Sequence, residues 1–252
     1  MYDGQYIVHQ FLAGTQVFTC PTDMQVDLLI VGGGSGGNRR LGGGGGAGGL
    51  VYVTGYELAA GDYELNIGLG GMPTTAQVGL NGTNSYFGPL IAYGGGHGGV
   101  DFYGSPLSSG MNGACGGGAR ANTTDSGGQG SQGFAGGSAV NGTNTSAGGG
   151  GMGQAGQNAG ANVFTGGKGG DGLQISITGQ PVWYAGGGGG GSAIYDGNAL
   201  GGLGGGGAGN SKVCLGGSAG LPNTGGGGSG SYGQDSGFAG GSGIVIIRHL
   251  IQ

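Results

Sequence analysis

Hydrophobic residues gather at the two ends of the chain in short runs whose spacing predicts β-strands. Tyr63, Leu65 and Ile67 alternate with Asp62, Glu64 and Asn66, the pattern of a strand with one buried and one wet face. Val26-Asp-Leu-Leu-Ile-Val31 is almost wholly apolar, as in a strand covered on both faces. Runs rich in β-branched and aromatic residues at 6–12, 16–19 and 50–54, bounded by Gly, Pro, Thr and Asp, predict three more strands. The chain closes on Ile244-Val-Ile-Ile-Arg-His-Leu-Ile251. A strand this apolar must be covered, and comparable strands occur only in the first ninety or so residues. The two ends are therefore expected to meet in one small β-sandwich. No stretch long enough for a helix keeps a helical period without glycine, so α-helix is expected to be absent.

Between the ends the pattern changes. From Gly94 to Gly243 glycine comes in runs such as Gly186–Gly191 and Gly204–Gly207, separated by Ala, Ser, Asn, Gln and single aromatics. Of 252 residues, 80 are Gly. Each costs roughly 0.5–1 kcal/mol more than alanine to order, so an ordered segment needs an unusual compensation. A flexible linker is one reading of Gly and Ser together, but only 7% of the residues are charged and 35% are hydrophobic, with aromatics spaced throughout, which favours packing. Collagen is excluded by the absence of a Gly-X-Y period and by only 6 prolines. The remaining option is a bundle of polyglycine II helices, extended and three-fold, whose backbone groups must all find partners on neighbouring helices. The expected architecture is one domain over 1–252, mainly β without α-helix. Residues 1–93 and 244–252 form the β-structure, and 94–243 form an inserted bundle with loops. Gly133-Phe-Ala-Gly-Gly-Ser138 recurs as Gly237-Phe-Ala-Gly-Gly-Ser242, the texture of stacked similar units without a fixed period.

Charge and chemistry narrow the function. Six Lys and Arg against 11 Asp and Glu give a net charge of −5, and no basic patch is present to hold a nucleic-acid backbone. No apolar run reaches the length of a membrane span, and the first residues lack the basic start and apolar core of a signal peptide. With Met1 as the natural start, synthesis in the cytoplasm is expected. Cys20, Cys115 and Cys214, and His9, His97 and His249, are too scattered for a local zinc motif; the cysteines are read as buried free thiols.

Catalytic signatures occur but lack context. Val26–Val31 followed by Gly32-Gly-Gly-Ser-Gly-Gly37 satisfies a strand and GxGxxG, yet no helix follows, and at this glycine content a three-Gly pattern arises about eight times by chance. GxSxG around Ser35 and Ser218 lacks the strand-to-helix elbow of a hydrolase. No cofactor or metal is expected. Asn81-Gly-Thr83, Asn122-Thr-Thr124, Asn141-Gly-Thr143 and Asn144-Thr-Ser146 match the glycosylation pattern and are read as turn residues.

Several motifs together carry a resemblance. They are Tyr6-Ile-Val-His-Gln-Phe11 with Val17-Phe-Thr19, Val26 to Gly34, Gly42–Gly49 before Leu50-Val-Tyr52, Gly61-Asp-Tyr63 with Ile67-Gly-Leu-Gly-Gly71, Asn84-Ser-Tyr-Phe-Gly88 with Ala92-Tyr-Gly-Gly-Gly96, and Gly241-Ser-Gly-Ile-Val-Ile-Ile-Arg248. In this order they resemble the glycine-rich domain of bacteriophage tail-fibre and virion proteins. In composition the chain is also similar to the tip adhesins of T-even-like phages, in which a polyglycine helix bundle holds loops that recognise surface receptors. The resemblance implies a non-enzymatic virion protein with other virion proteins and a host glycan or outer-membrane protein as partners. A structural decoration protein of capsid or tail is the alternative. An ice-binding face lacks the regular short-side-chain repeat it would need. Loops carrying aromatic and polar residues together are the expected contact surface: Asp101, Phe102 and Tyr103; Trp183 and Tyr184; Tyr195 and Asn198. Such rings combine an apolar face with a wet polar end.

Overall fold

The structure is a computed structural model describing residues 2–73, 79–100, 108–160, 165–193, 199–212, 216–233 and 237–251. Among these, all strand pairing is antiparallel apart from isolated bridges, and there is no α-helix. The strands are β1 (Tyr2–Asp3), β2 (Tyr6–Phe11), β3 (Gly14–Cys20), β4 (Met24–Val31), β5 (Leu50–Leu58), β6 (Gly61–Ile67), β7 (Ser85–Phe87), β8 (Leu90–Ala92), β9 (Leu173–Ile175), β10 (Val182–Tyr184) and β11 (Ile244–Leu250). They form a five-stranded sheet β1-β2-β11-β4-β5, a four-stranded sheet β3-β6-β7-β8 and the hairpin β9-β10. The C-terminal strand β11 lies between β2 and β4, joining the two ends of the chain as the apolar pattern requires.

The faces of β4 and β11 explain why both are so apolar. Val26, Leu28 and Ile30 of β4 and Val245 and Ile247 of β11 pack with Phe18, Leu65, Ile67 and Phe87 of the four-stranded sheet. The opposite faces, Leu29, Val31, Ile244 and Ile246, pack with Val8, Ala47, Cys115, Ile177 and Tyr184, which mostly belong to the glycine-rich part. The five-stranded sheet is thus covered on both sides, and each fully buried aliphatic side chain contributes about 1.5–3 kcal/mol. The one acid in this run, Asp27, sits where the β4–β5 register shifts between Val26 and Leu28. Its carboxylate accepts the Gly55 N–H at 3.0 Å and the Arg248 guanidinium at 2.6 Å.

The glycine-rich part is held by backbone hydrogen bonds. Along the segment 42–49 the partner changes at every residue and returns at every third. Gly43, Gly46 and Gly49 donate to Gly99, Gly96 and Tyr93; Gly44 and Ala47 to Ala147 and Gly150; Gly45 and Gly48 to Gly228 and Gly225. The carbonyls of the same segment accept from three further neighbours: Gly42 and Gly45 from Gly191 and Gly188, Gly44 and Ala47 from Gly118 and Cys115, and Gly43, Gly46 and Gly49 from Asn38, Ser35 and Gly32. All these bonds measure 2.8–3.4 Å. One extended segment is therefore ringed by six others, and its one side chain beyond hydrogen, the Ala47 methyl, joins the core under the five-stranded sheet. The arrangement already begins at Gly32, well before Gly94, and the span 94–243 contains the β9–β10 hairpin as well as glycine segments.

Candidate functional site

The expected contact loops fall unevenly on the described residues. Asp101, Phe102, Tyr103, Tyr195 and Asn198 lie outside them. Trp183 and Tyr184 lie within, on β10 of the hairpin, where sequence reading placed a loop. Strand alternation separates the two rings. Trp183 pairs with Gln174 and is 36% exposed, whereas Tyr184 is 4% exposed and belongs to the core under the five-stranded sheet. Burial pushes the Tyr184 phenol above its usual range. Tyr184 is thus a core residue rather than a surface contact, and Trp183 is the ring presented outward. The turn of the hairpin is closed by Gly179, at φ 84°, donating to the Ser176 carbonyl at 3.0 Å; the positive φ suits glycine. Beside its base, Lys168 and Asp171 form an ion pair at 2.8 Å, and Asp171 also accepts the Leu203 N–H.

Other groups singled out in the sequence are absorbed by the fold. Ser35 of the GxSxG match is fully buried and its hydroxyl donates to the Gly96 carbonyl at 2.8 Å. The Ser218 hydroxyl accepts the Ala208 N–H. Cys20 and Cys115 are buried free thiols; burial pushes Cys115 up to about 12, so it stays protonated. Cys214 lies outside the described residues. No group of three or more potential metal ligands, and no helix long and apolar enough to cross a membrane, occurs among the described residues.

One pair was not legible as such. His9 on β2 and His249 on β11 stack with ring centroids 5.2 Å apart, and their Nε2 atoms lie 3.0 Å from each other. His249 Nδ1 is 2.9 Å from the Leu250 carbonyl. A carbonyl only accepts, so that nitrogen carries the proton, and in the neutral pair His9 Nε2–H donates to His249 Nε2. The antiparallel register of β2 and β11 was the missing signal, because His9 faces Ile247 and Ile7 faces His249.

Burial first, then the facing His249, holds His9 below the ordinary histidine range. Burial does the same to His97, partly opposed by its bond to the Gly98 carbonyl. For both, the unfolded chain binds a proton at a higher pH than the folded one. Their contribution to stability is present above the unfolded value of about 6.5 and is lost as pH falls through the lower folded values. The melting temperature is expected to fall between pH 7.5 and pH 5. Replacing His97 with Gln should flatten that slope, by up to about 1.4 kcal/mol per pH unit, as read by thermal denaturation at several pH values.

No curated protein matches the chain. A profile described as a glycine-rich domain matches residues 11–250, nearly the whole length, and the chain belongs to that glycine-rich domain family.

Proposed function

We propose that the chain is a non-enzymatic phage virion protein, part of a tail fibre, tip or capsid fibre, that displays loops to a glycan or outer-membrane protein on the host surface. In this reading it is made in the host cytoplasm and assembles with other virion proteins. Segments such as 42–49 are polyglycine II helices, and the two larger sheets form a β-sandwich from which the helix bundle projects. What supports the bundle is the return of hydrogen-bond partners at every third residue along Gly43–Gly49, since polyglycine II has three residues per turn and no internal hydrogen bonds.

The architecture suits display. A core built from main chain makes few demands on side chains between the glycine segments, so exposed loops can change residue type without disturbing the interior. Trp183, outward on its hairpin, is the anchor among the described residues, because aromatic rings carry much of the energy of binding surfaces.

The test is adsorption of particles carrying Trp183→Ala, alone and combined with Tyr103→Ala and Tyr195→Ala, with folding monitored by thermal denaturation. The combined variant should fold normally and adsorb roughly tenfold or more slowly. Unchanged adsorption by the folded variant would move the role to structural decoration of capsid or tail.

A further inference from the structure

We infer that the open groove between residues 81–84, 93–94, 112–114 and 131 is a binding site for a neutral saccharide. Its volume is about 500 Å³, within the roughly 300–1,000 Å³ of small-molecule sites. Asn81, Asn84, Tyr93, Asn112 and Ser131 are its side-chain walls, and no charged residue lines it. Gly82, Gly94, Gly113 and Ala114 complete its lining.

The asparagines are pre-oriented. Asn81 Oδ1 accepts the His97 N–H at 2.9 Å, Asn84 Oδ1 accepts the Gly94 N–H at 2.9 Å, and Asn112 Oδ1 accepts the Gln129 N–H at 2.7 Å. A backbone N–H can face only the oxygen of an amide, which settles the O/N assignment of each side chain. Asn81 and Asn84, three residues apart, cap two N–H groups that are also three apart on the antiparallel neighbour. These bonds satisfy three backbone donors of the glycine region, and they leave each Nδ2 amide with both protons free. No hydrogen bond from any of the three Nδ2 groups occurs among the described residues, and all three side chains are exposed. Beside them Tyr93 is 46% exposed, its N–H tied to Gln132 Oε1 at 2.8 Å. The Ser131 hydroxyl donates to the Gly113 carbonyl and keeps its lone pairs for a ligand.

A fixed set of amide donors, two hydroxyls and one exposed aromatic face match a pyranose, which offers a C–H face for stacking and a rim of hydroxyls that both donate and accept. The absence of a cation among the lining residues disfavours sialylated or sulfated sugars, whose charge would be desolvated without a partner. The groove is built by segments other than the Trp183 hairpin, and the inference stands independently of the virion assignment.

The experiment uses the purified full chain on an array of neutral oligosaccharides containing glucose, galactose, mannose and N-acetylglucosamine, with sialylated oligosaccharides alongside. Calorimetry then follows on the strongest neutral ligand. Asn84→Asp with Asn112→Asp keeps the oxygen that caps each backbone N–H but removes the donors, so the melting temperature should hold while affinity drops roughly tenfold or more. Tyr93→Ala should weaken binding by a similar factor, and Tyr93→Phe, which keeps the stacking face, by less. The inference fails with a folded chain that binds no neutral oligosaccharide. It fails equally with neutral binding unmoved by both the Asp pair and Tyr93→Ala, or with binding confined to sialylated ligands.

Discussion

Alanine in place of Gly44 is expected to lower the melting temperature by roughly 10 °C or more. A Cβ built there lies 2.1 Å from the Gly188 carbonyl oxygen and 2.7 Å from its carbon. Neither atom is free to retreat. Gly188 donates to Gly45, its oxygen accepts from Gly149, and Gly44 itself is bonded to Ala147 and Gly118. Relief of the clash must break hydrogen bonds that have no water to replace them. Overpacking costs about 1–3 kcal/mol or more and each orphaned buried group about 1–3 kcal/mol, against a total stability of about 5–15 kcal/mol. Gly36 provides the comparison: the same substitution brings the new atom no nearer than 3.1 Å to the Gly71 carbonyl oxygen, so the loss should be about 1 kcal/mol. Thermal denaturation of the two variants reads the difference. Equal, small losses would mean that the glycine segments are not held at the spacing described.

Removal of the last eight residues, from Val245 onward, is expected to abolish soluble folding. The deletion takes out nearly all of β11, which pairs with β2 on one side and β4 on the other. It also empties both cores at once, because Val245 and Ile247 pack with the four-stranded sheet while Ile246 packs toward the glycine region, and all three are 0% exposed. Large-to-small changes at single buried aliphatics already cost about 2–5 kcal/mol, and three together reach the whole stability of an ordinary domain. The Arg248–Asp27 pair would be lost as well, leaving the carboxylate in the β4 register shift without its cation. Soluble expression and a cooperative thermal transition are the measurements; a truncated chain that melts at the same temperature would make β11 peripheral.

How far the sequence revealed this depends on whether side chains encoded the contact. β4, β6 and β11 were legible because their neighbours on each face are other side chains, and periodicity records which faces are covered. β7, β8, β9 and β10 are three residues each, too short for an alternation to stand out, and treating 180–184 as a loop hid the opposite orientations of Trp183 and Tyr184. For the glycine segments the composition announced that backbone must bond to backbone, but not to which backbone. Gly44 lies against Ala147, Gly118 and Gly188, and nothing in a run of hydrogen side chains distinguishes these partners or their directions. The asparagines of the groove failed for a related reason. Asn81-Gly-Thr83 looks like a local turn, yet Asn81 caps an N–H sixteen positions away.

The return of partners at every third residue also sets a rule for changes in chain length. Adding or removing one or two residues inside 42–49 would send every later donor to the wrong neighbour, whereas a change of three restores the pairing beyond the altered stretch. Length within the glycine segments is therefore counted in threes, while the connections between them are free of that arithmetic. Over many generations, segments and connections of one chain should drift by different rules: the former nearly frozen in length, the latter open to insertions of any size.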